Sequence, residues 1–228
     1  GQIDTARSMG IARAGQFGTT PAGTSATDGH GTTHLSVVDR HGNVVAMTSS
    51  IEGSMGSFRM TDGFLLNNQL TDFAVQPTTA DGPVANRVES RKRPRSAMAP
   101  TLVFASLADG SPGDFVMATG SSGGAPIIQH VVKTLIGVLD WGLDAQQAAS
   151  LLNFGASNSV VTTLGAEHPD GVGPLASGLR TMGHQVTTNA QTSGVASIVR
   201  VQRKGLWVLE AGVDPRREGV ALGDSYRP

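Results

Sequence analysis

The chain has 228 residues, with 17 Lys+Arg against 18 Asp+Glu and a formal net charge of −1, so it lacks the basic surplus of a nucleic-acid binder. It has no cysteine, which excludes a disulfide scaffold, thiolate metal ligands and a Cys nucleophile. The length allows one sizeable core, and the sequence holds no run of about 18 apolar residues to span a membrane. The opening residues do not read as a basic-then-apolar leader. Thirty glycines beside seven Phe, two Trp and one Tyr suit a β-rich enzyme with glycine-lined turns rather than a platform for stacking bases.

In chain order, residues 3–14 predict a short helix. Residues 16–31, of which 12 of 16 are Gly, Ser, Thr, Ala or Pro, read as a linker. The character changes at Thr32. Residues 34–38 and 43–49 are β-rich runs joined by Asp39-Arg40-His41-Gly42, a hairpin signal. Residues 61–73 predict an extended stretch, and 74–93 a long polar loop of the kind used as lids or binding loops. Strands follow at Thr101–Ser106 and 114–119. Apolar residues from Ile128 to Leu139 then recur at three and four, predicting a helix over 126–140. Further helices are expected at 144–153 and 173–183, and strands at 185–188, 195–201 and 206–211. Hairpins rather than regular βαβ units point to an α+β layered fold.

Three places could carry chemistry. At Gly31-Thr32 a glycine leaves the preceding carbonyl open to attack by the threonine hydroxyl. Cleavage there would give Thr32 a free α-amine, unperturbed pKa about 8, able to act as base for its own hydroxyl. The plainer reading is a β-branched strand entry. His30 and His34 stand at i, i+4, but Gly-Thr-Thr between them is poor helix material and no acidic partner accompanies them. His34 therefore reads as a hydrogen-bonded strand residue rather than a zinc ligand. Second, Thr119-Gly120-Ser121-Ser122-Gly123-Gly124-Ala125-Pro126 joins a strand to a helix. Its glycines can turn two N–H groups to one point beside a helix N-terminus, as in an oxyanion hole. The same string fits G-x-S-x-G, with Ser122 as nucleophile and Asp170 and His184 as triad partners, or a plain glycine turn. Third, Asn67-Asn68-Gln69 and Thr71-Asp72 cluster polar groups that could hold a small zwitterion, or simply cap a turn.

Thr32-Thr33-His34-Leu35-Ser36-Val37-Val38-Asp39, Leu65-Leu66-Asn67-Asn68-Gln69, Lys92-Arg93-Pro94-Arg95-Ser96-Ala97-Met98-Ala99-Pro100-Thr101, Gly120-Ser121-Ser122-Gly123-Gly124 and Asp214-Pro215-Arg216 together resemble the small, catalytic subunit of the gamma-glutamyltransferase family. The blocks keep the family's order and cover nearly everything after the linker. The resemblance implies a four-layer αββα sandwich, the N-terminal nucleophile hydrolase fold, matured by self-cleavage between Gly31 and Thr32. It implies residues 1–31 as the tail of the large subunit and 32–228 as the catalytic domain. Thr32 falls on the nucleophile and Ser50 on the hydroxyl that supports it. Gln69 and Asp72 fall on positions holding the substrate α-amino group, Ser96 on a carboxylate-binding serine, and Gly123 and Gly124 on the oxyanion pair. Residues 74–93 fall on the lid. Glu52 stands where an Asn is usual, and Ala97 replaces a second serine; both lie on the recognition side.

The implied activity is hydrolysis or transfer of the γ-glutamyl group of a glutathione-like donor, to water or to an amino acid or peptide. It needs no metal and no organic cofactor, and the partner is the large subunit of the same precursor. Three alternatives stand beside it: a cephalosporin (glutaryl) acylase-like amidase on the same fold, a Ser122 hydrolase, and an uncleaved, inactive homologue.

Overall fold

A computed structural model describes residues 31–223, apart from 158 and 168. The helix expected over 3–14, the linker up to residue 30, and His30 lie outside the described residues. The described elements are β1 (Thr32–Val38), β2 (Val44–Ser50), the short strands β3 (Met60–Thr61), β4 (Phe64–Leu65), β5 (Thr78–Thr79) and β6 (Gly82–Pro83), then β7 (Thr101–Ser106), β8 (Pro112–Gly120), α1 (Ile127–Leu139), α2 (Ala145–Ser150), β9 (Phe154–Gly155), β10 (Val161–Gly165), α3 (Pro169–Thr181), β11 (Gln185–Asn189), β12 (Ala196–Arg203) and β13 (Leu206–Val213). A 3-10 turn, Gln69–Asp72, follows β4.

The centre is a four-stranded antiparallel sheet in the order β13-β12-β8-β7. Helices α1 and α2 cover one face. Met117 of β8, Val199 of β12 and Ala145 of α2 are buried there, with Leu135 and Val138 of α1 against them. α2 opens on a capping box: the Asp144 carboxylate accepts from the Gln147 N–H (2.7 Å) and the Gln147 side chain accepts from the Asp144 N–H (3.1 Å). It closes so tightly on β13 that a side chain at Gly212 would collide with the Ala145 carbonyl.

The β1–β2 hairpin lies on the other face of this sheet, touching β7, β8 and β12. Period-two alternation sends Thr32, His34 and Ser36 of β1, with Thr48 and Ser50 of β2, inward. Thr33, Leu35 and Val37 point outward with Val45 and Met47. Ser36 Oγ donates to the Ala196 carbonyl of β12 (3.1 Å), tying the two sheets together. His34 fills the space opposite Gly120, where any side chain would strike its ring. Thr48 Oγ1 (2.8 Å) and Ser36 Oγ (3.1 Å) engage its two ring nitrogens, so it is the hydrogen-bonded strand residue expected. Burial pushes its pKa down to about 4.

Helices, sheet and second sheet give three layers, α-β-β, among the described residues. The expected strands and helices are present with shifted ends, and four features differ. The extended stretch expected over 61–73 is a two-residue hairpin followed by the 3-10 turn, because Asn67 and Asn68 bend the chain. The Asn67 side chain accepts from the Gln69 N–H (2.9 Å). The 74–93 loop contains the small β5–β6 pairing. β9 and β10 were not anticipated. β10 pairs parallel with β11 through α3, so one βαβ unit stands beside the hairpins. The Gly173 start expected for α3 is at Pro169, although Gly171, Gly173 and Pro174 argue locally against a helix. Burial of Val172 and Ala176 against Leu164 of β10 outweighs that local preference.

Candidate active site

Thr32 is the first residue of β1 and stands opposite Ser50, the last of β2. Antiparallel pairing puts both side chains on the inward face, and their hydroxyl oxygens are 2.8 Å apart. Ser50 Oγ also accepts from the Glu52 N–H (2.9 Å), which leaves the Ser50 hydrogen available to Thr32 Oγ. Upstream, the Gly31 N–H donates to the Glu52 carbonyl (3.0 Å) and the Gly31 carbonyl accepts from the Ile51 N–H (2.9 Å). Gly31 is thus held at both its N–H and its carbonyl by the chain leaving β2, and that carbonyl belongs to the Gly31-Thr32 peptide. A side chain at Gly31 would strike the Gly53 carbonyl and Ile51.

A cavity of about 290 Å³ opens over this corner, at the small end of small-molecule sites. Thr32, Ser50, Glu52, Gln69, Asp72, Arg95, Ser96, Ala97 and Gly124 line it. Of the site residues that the family resemblance implies, all but Gly31 and Gly123 line it, while His34, Asn67, Asn68, Thr71, Ser122 and His184 do not. Met98, Ile127, Ile128 and Ser157 complete the wall.

One wall is acidic. Gln69 Nε2 donates to Asp72 Oδ2, and reaches Glu52 Oε2 at 3.4 Å. Burial and the neighbouring Glu52 charge raise the Asp72 pKa, while the Gln69 hydrogen bond and the Arg95 guanidinium partly oppose the rise. Glu52 holds a φ of +70°, left-handed backbone that a long side chain seldom adopts. Asn86 anchors this wall: its Nδ2 donates to the Asp72 carbonyl (2.7 Å) and its Oδ1 accepts from the Arg95 N–H (2.9 Å). The 74–93 loop is tethered there, yet among the described residues it supplies none of the lining. Arg95 is the cation that sequence reasoning missed. It sits in the basic run 91–95, judged only for nucleic-acid binding, and it borders the serine that was named.

At the opposite wall the glycine turn leaves β8 and enters α1. Gly123 and Gly124 carry φ of +129° and +70°, open to glycine without strain. Neither N–H has an acceptor among the described residues. Gly124 lines the cavity. Ser122 is 3% exposed and faces Gly194. His184 Nδ1 meets Thr162 Oγ1 on β10 (3.3 Å), so the alternative Ser122 triad is not brought together. The Asp170 side chain lies outside the described part.

Packed sheets roofed by helices, with a strand-initial threonine at a cavity between them, define the N-terminal nucleophile hydrolase fold. The chain belongs to the gamma-glutamyltranspeptidase family, whose model it matches over residues 2–224. It is 34% identical to the glutathione hydrolase proenzyme of Bacillus subtilis (strain 168), over 84% of this chain and 30% of that protein. It is 30% identical to the glutathione hydrolase proenzyme of Pseudomonas aeruginosa, over 85% of this chain and 34% of that protein. The matched part of the chain therefore spans about a third of the length of each of these two relatives. Among solved structures it resembles a Helicobacter pylori gamma-glutamyltranspeptidase mutant, with a TM-score of 0.67, 31% identity, and coverage of 81% of this chain and 100% of that one. The gamma-glutamyltranspeptidase of Pseudomonas nitroreducens complexed with L-DON gives 0.69 at 28% identity, covering 85% and 100%. A cephalosporin acylase from Bacillus halodurans shares the fold at 20% identity and TM-score 0.65, with coverage of 88% of this chain and 37% of that one.

Proposed function

We propose that this chain carries the catalytic domain of a γ-glutamyl amide hydrolase and transpeptidase, 32–228, released from a large-subunit piece ending in 1–31 by cleavage at Gly31-Thr32. The observation that carries the reading is convergence. Thr32, Ser50, Glu52, Gln69, Asp72, Ser96 and Gly124 come from distant stretches of chain and line one cavity.

Thr32 Oγ first attacks the Gly31 carbonyl, which the Ile51 N–H holds and polarises. Collapse of the adduct breaks the Gly31–Thr32 C–N bond, which frees the α-amine and leaves an ester on Oγ; water hydrolyses that ester, releasing the Gly31 carboxylate and restoring the Thr32 hydroxyl. In turnover that amine takes the Thr32 hydroxyl proton while Oγ adds to the γ-carbonyl of the donor. Ser50 donates to Oγ, and the N–H groups of Gly123 and Gly124 hold the tetrahedral oxyanion. Collapse expels the amine of the donor, which takes the proton back from the Thr32 ammonium. Water or an amino acid then attacks the γ-glutamyl ester and regenerates Thr32. Glu52, Gln69 and Asp72 read the donor α-ammonium, and Ser96 with Arg95 the α-carboxylate. Carboxylates (Glu52, Asp72) and a guanidinium (Arg95) in one cavity suit a ligand end that bears both an ammonium and a carboxylate, an amino-acid headgroup, better than a glutaryl chain, which lacks the ammonium.

The outward residues Leu35, Val37, Val45 and Met47 of the hairpin are 38–49% exposed, an apolar face that the rest of the precursor would cover as the fourth layer. Proenzyme relatives and the two-subunit family architecture support this partner.

The test is the N-terminal sequence and mass of the product purified from the full-length precursor. A fragment beginning Thr-Thr-His-Leu that turns over a γ-glutamyl anilide is expected. Thr32→Ala should stop both cleavage and turnover, the latter by several orders of magnitude. A Thr32→Ala protein that still cleaves or turns over would refute the assignment.

A further inference from the structure

Under the glycine turn lies a buried group to which the chemistry above assigns no task. His130 stands on the first turns of α1, its backbone N–H bonded to the Pro126 carbonyl (3.0 Å), and is 1% exposed. Its ring lies against Gly123. A Cβ there would stand 3.1 and 3.2 Å from His130 Cε1 and Nδ1, and 2.9 Å from the Thr192 carbonyl oxygen. The imidazole and that carbonyl therefore leave no room for a side chain at Gly123.

Neither ring nitrogen has a hydrogen-bond partner among the described residues, a rare state for buried polar atoms. The Ser122 carbonyl lies beside the ring. That oxygen already receives Ser121 Oγ (2.6 Å) and, more loosely, the Gly194 N–H (3.3 Å). Ser122 C=O and Gly123 N–H belong to one planar trans peptide and point opposite ways. A donor on the buried carbonyl fixes the plane of that peptide, and by polarising it strengthens the N–H as a donor. Burial, and after it the Lys133 and Arg216 charges, hold the His130 pKa near 4, against a smaller opposite pull from Asp214. At neutral pH the ring is thus a neutral imidazole with one N–H to give.

We propose that His130 is a positioning residue whose ring N–H backs the Ser122 carbonyl, so that the Gly123 N–H is aimed at, and polarised toward, the oxyanion that forms over Thr32. This rests on the oxyanion role given above to Gly123 and Gly124. The hydrogen bond tightens as negative charge develops, in the way catalytic contacts that are long in a resting enzyme do.

The experiment compares wild type, His130→Asn (donor kept) and His130→Leu (donor lost, bulk kept) as full-length precursors. Rates are normalised to the amount of free Thr32 N-terminus. His130→Leu should lower kcat for a γ-glutamyl anilide by roughly 10-fold or more, less than the loss of a direct oxyanion donor. Its KM should stay within about twofold, and His130→Asn should recover most of kcat. If the leucine variant does not fold, His130→Met, which repacks more easily, replaces it. Equal losses in the Asn and Leu variants, losses carried by KM, an unchanged kcat, or failure of both apolar variants to fold would overturn the proposal and leave His130 a core residue. A processed wild type with no γ-glutamyl turnover would instead overturn the function it rests on.

Discussion

Glu52 and Asp72 face one cavity with the Gln69 amide between them. Two carboxyls so placed repel unless a proton or a cation lies between, and the raised Asp72 pKa is that repulsion added to burial. A protonated Asp72 cannot pair with an ammonium, so KM for a γ-glutamyl donor should fall as pH rises through the raised Asp72 pKa. Glu52→Gln removes the neighbouring charge, and should move that limb to lower pH. Asp72→Asn should abolish it and erase most of the preference for γ-glutamyl over glutaryl anilide. A charge-assisted hydrogen bond of about 1.5–3 kcal/mol sets that preference at roughly 10–150-fold. Steady-state kinetics carried from the ordinary carboxylate range up to neutral pH check this; a limb unmoved by Glu52→Gln, or equal turnover of the two anilides, would refute it. The sequence made the residue types legible, because Gln69, Asp72 and Ser96 sit in dense polar motifs. It hid two features. The left-handed backbone at Glu52 arises from the turn leaving β2, and Arg95 reaches the cavity only because Asn86 holds its backbone.

At the scale of elements, the proposed self-cleavage takes its hydroxyl from the entry to β1, and the exit of β2 holds Gly31, the residue before the cut. Gly31 has no room for a methyl group beside Gly53 and Ile51, so Gly31→Ala must shift the peptide that Thr32 attacks. Misplacement by about an ångström can cost 100-fold in rate, and self-cleavage should slow by roughly that order. Turnover by whatever enzyme does mature should be unchanged, because residue 31 departs with the large piece. Gel-resolved cleavage time courses, with turnover per free Thr32 N-terminus, separate the two; normal cleavage of Gly31→Ala would show that the grip on this peptide is not needed. Strongly periodic elements such as β1, β2, β7 and α1 were readable locally. β9 and β10 were not, since Phe154–Gly155 is two residues long and β10 is held as a strand by its distant partner β11, parallel on one side, and by β9 on the other.

Over the whole molecule, acid finds two inward histidines. His34 and His130 both have pKa values near 4, against about 6.5 in an unfolded chain. Between those values the unfolded chain binds more protons, so stability is full above about pH 6.5 and declines as pH falls toward 4. The melting temperature of the processed protein should already drop between pH 6.5 and 5, where ordinary carboxylates barely titrate. His130→Asn should flatten part of that slope. A melting temperature constant over the window would refute the account. The layered α+β class was legible from the change of period after residue 120. The packing of the hairpin on the central sheet was not, because its inward face is largely polar (Thr32, His34, Ser36, Thr48, Ser50) while Leu35, Val37, Val45 and Met47 point outward, the reverse of an ordinary solvent-facing hairpin.

The pairing of Thr32 with Ser50 has a distant guardian. Six residues along β1, at about 3.3 Å each, separate Thr32 from the turn at Asp39, where the Asp39 carboxylate accepts from the N–H groups of His41 (2.8 Å) and Asn43 (2.9 Å) and from the Asn43 side chain (2.7 Å). That turn fixes the register of the hairpin. A single residue inserted there would slide β2 by one step and turn Ser50 to the far side of the sheet, disarming the threonine from about 20 Å away while every residue in the cavity wall kept its identity. Under the proposed mechanism, length at this solvent-exposed tip is as much a requirement as the hydroxyls it aligns.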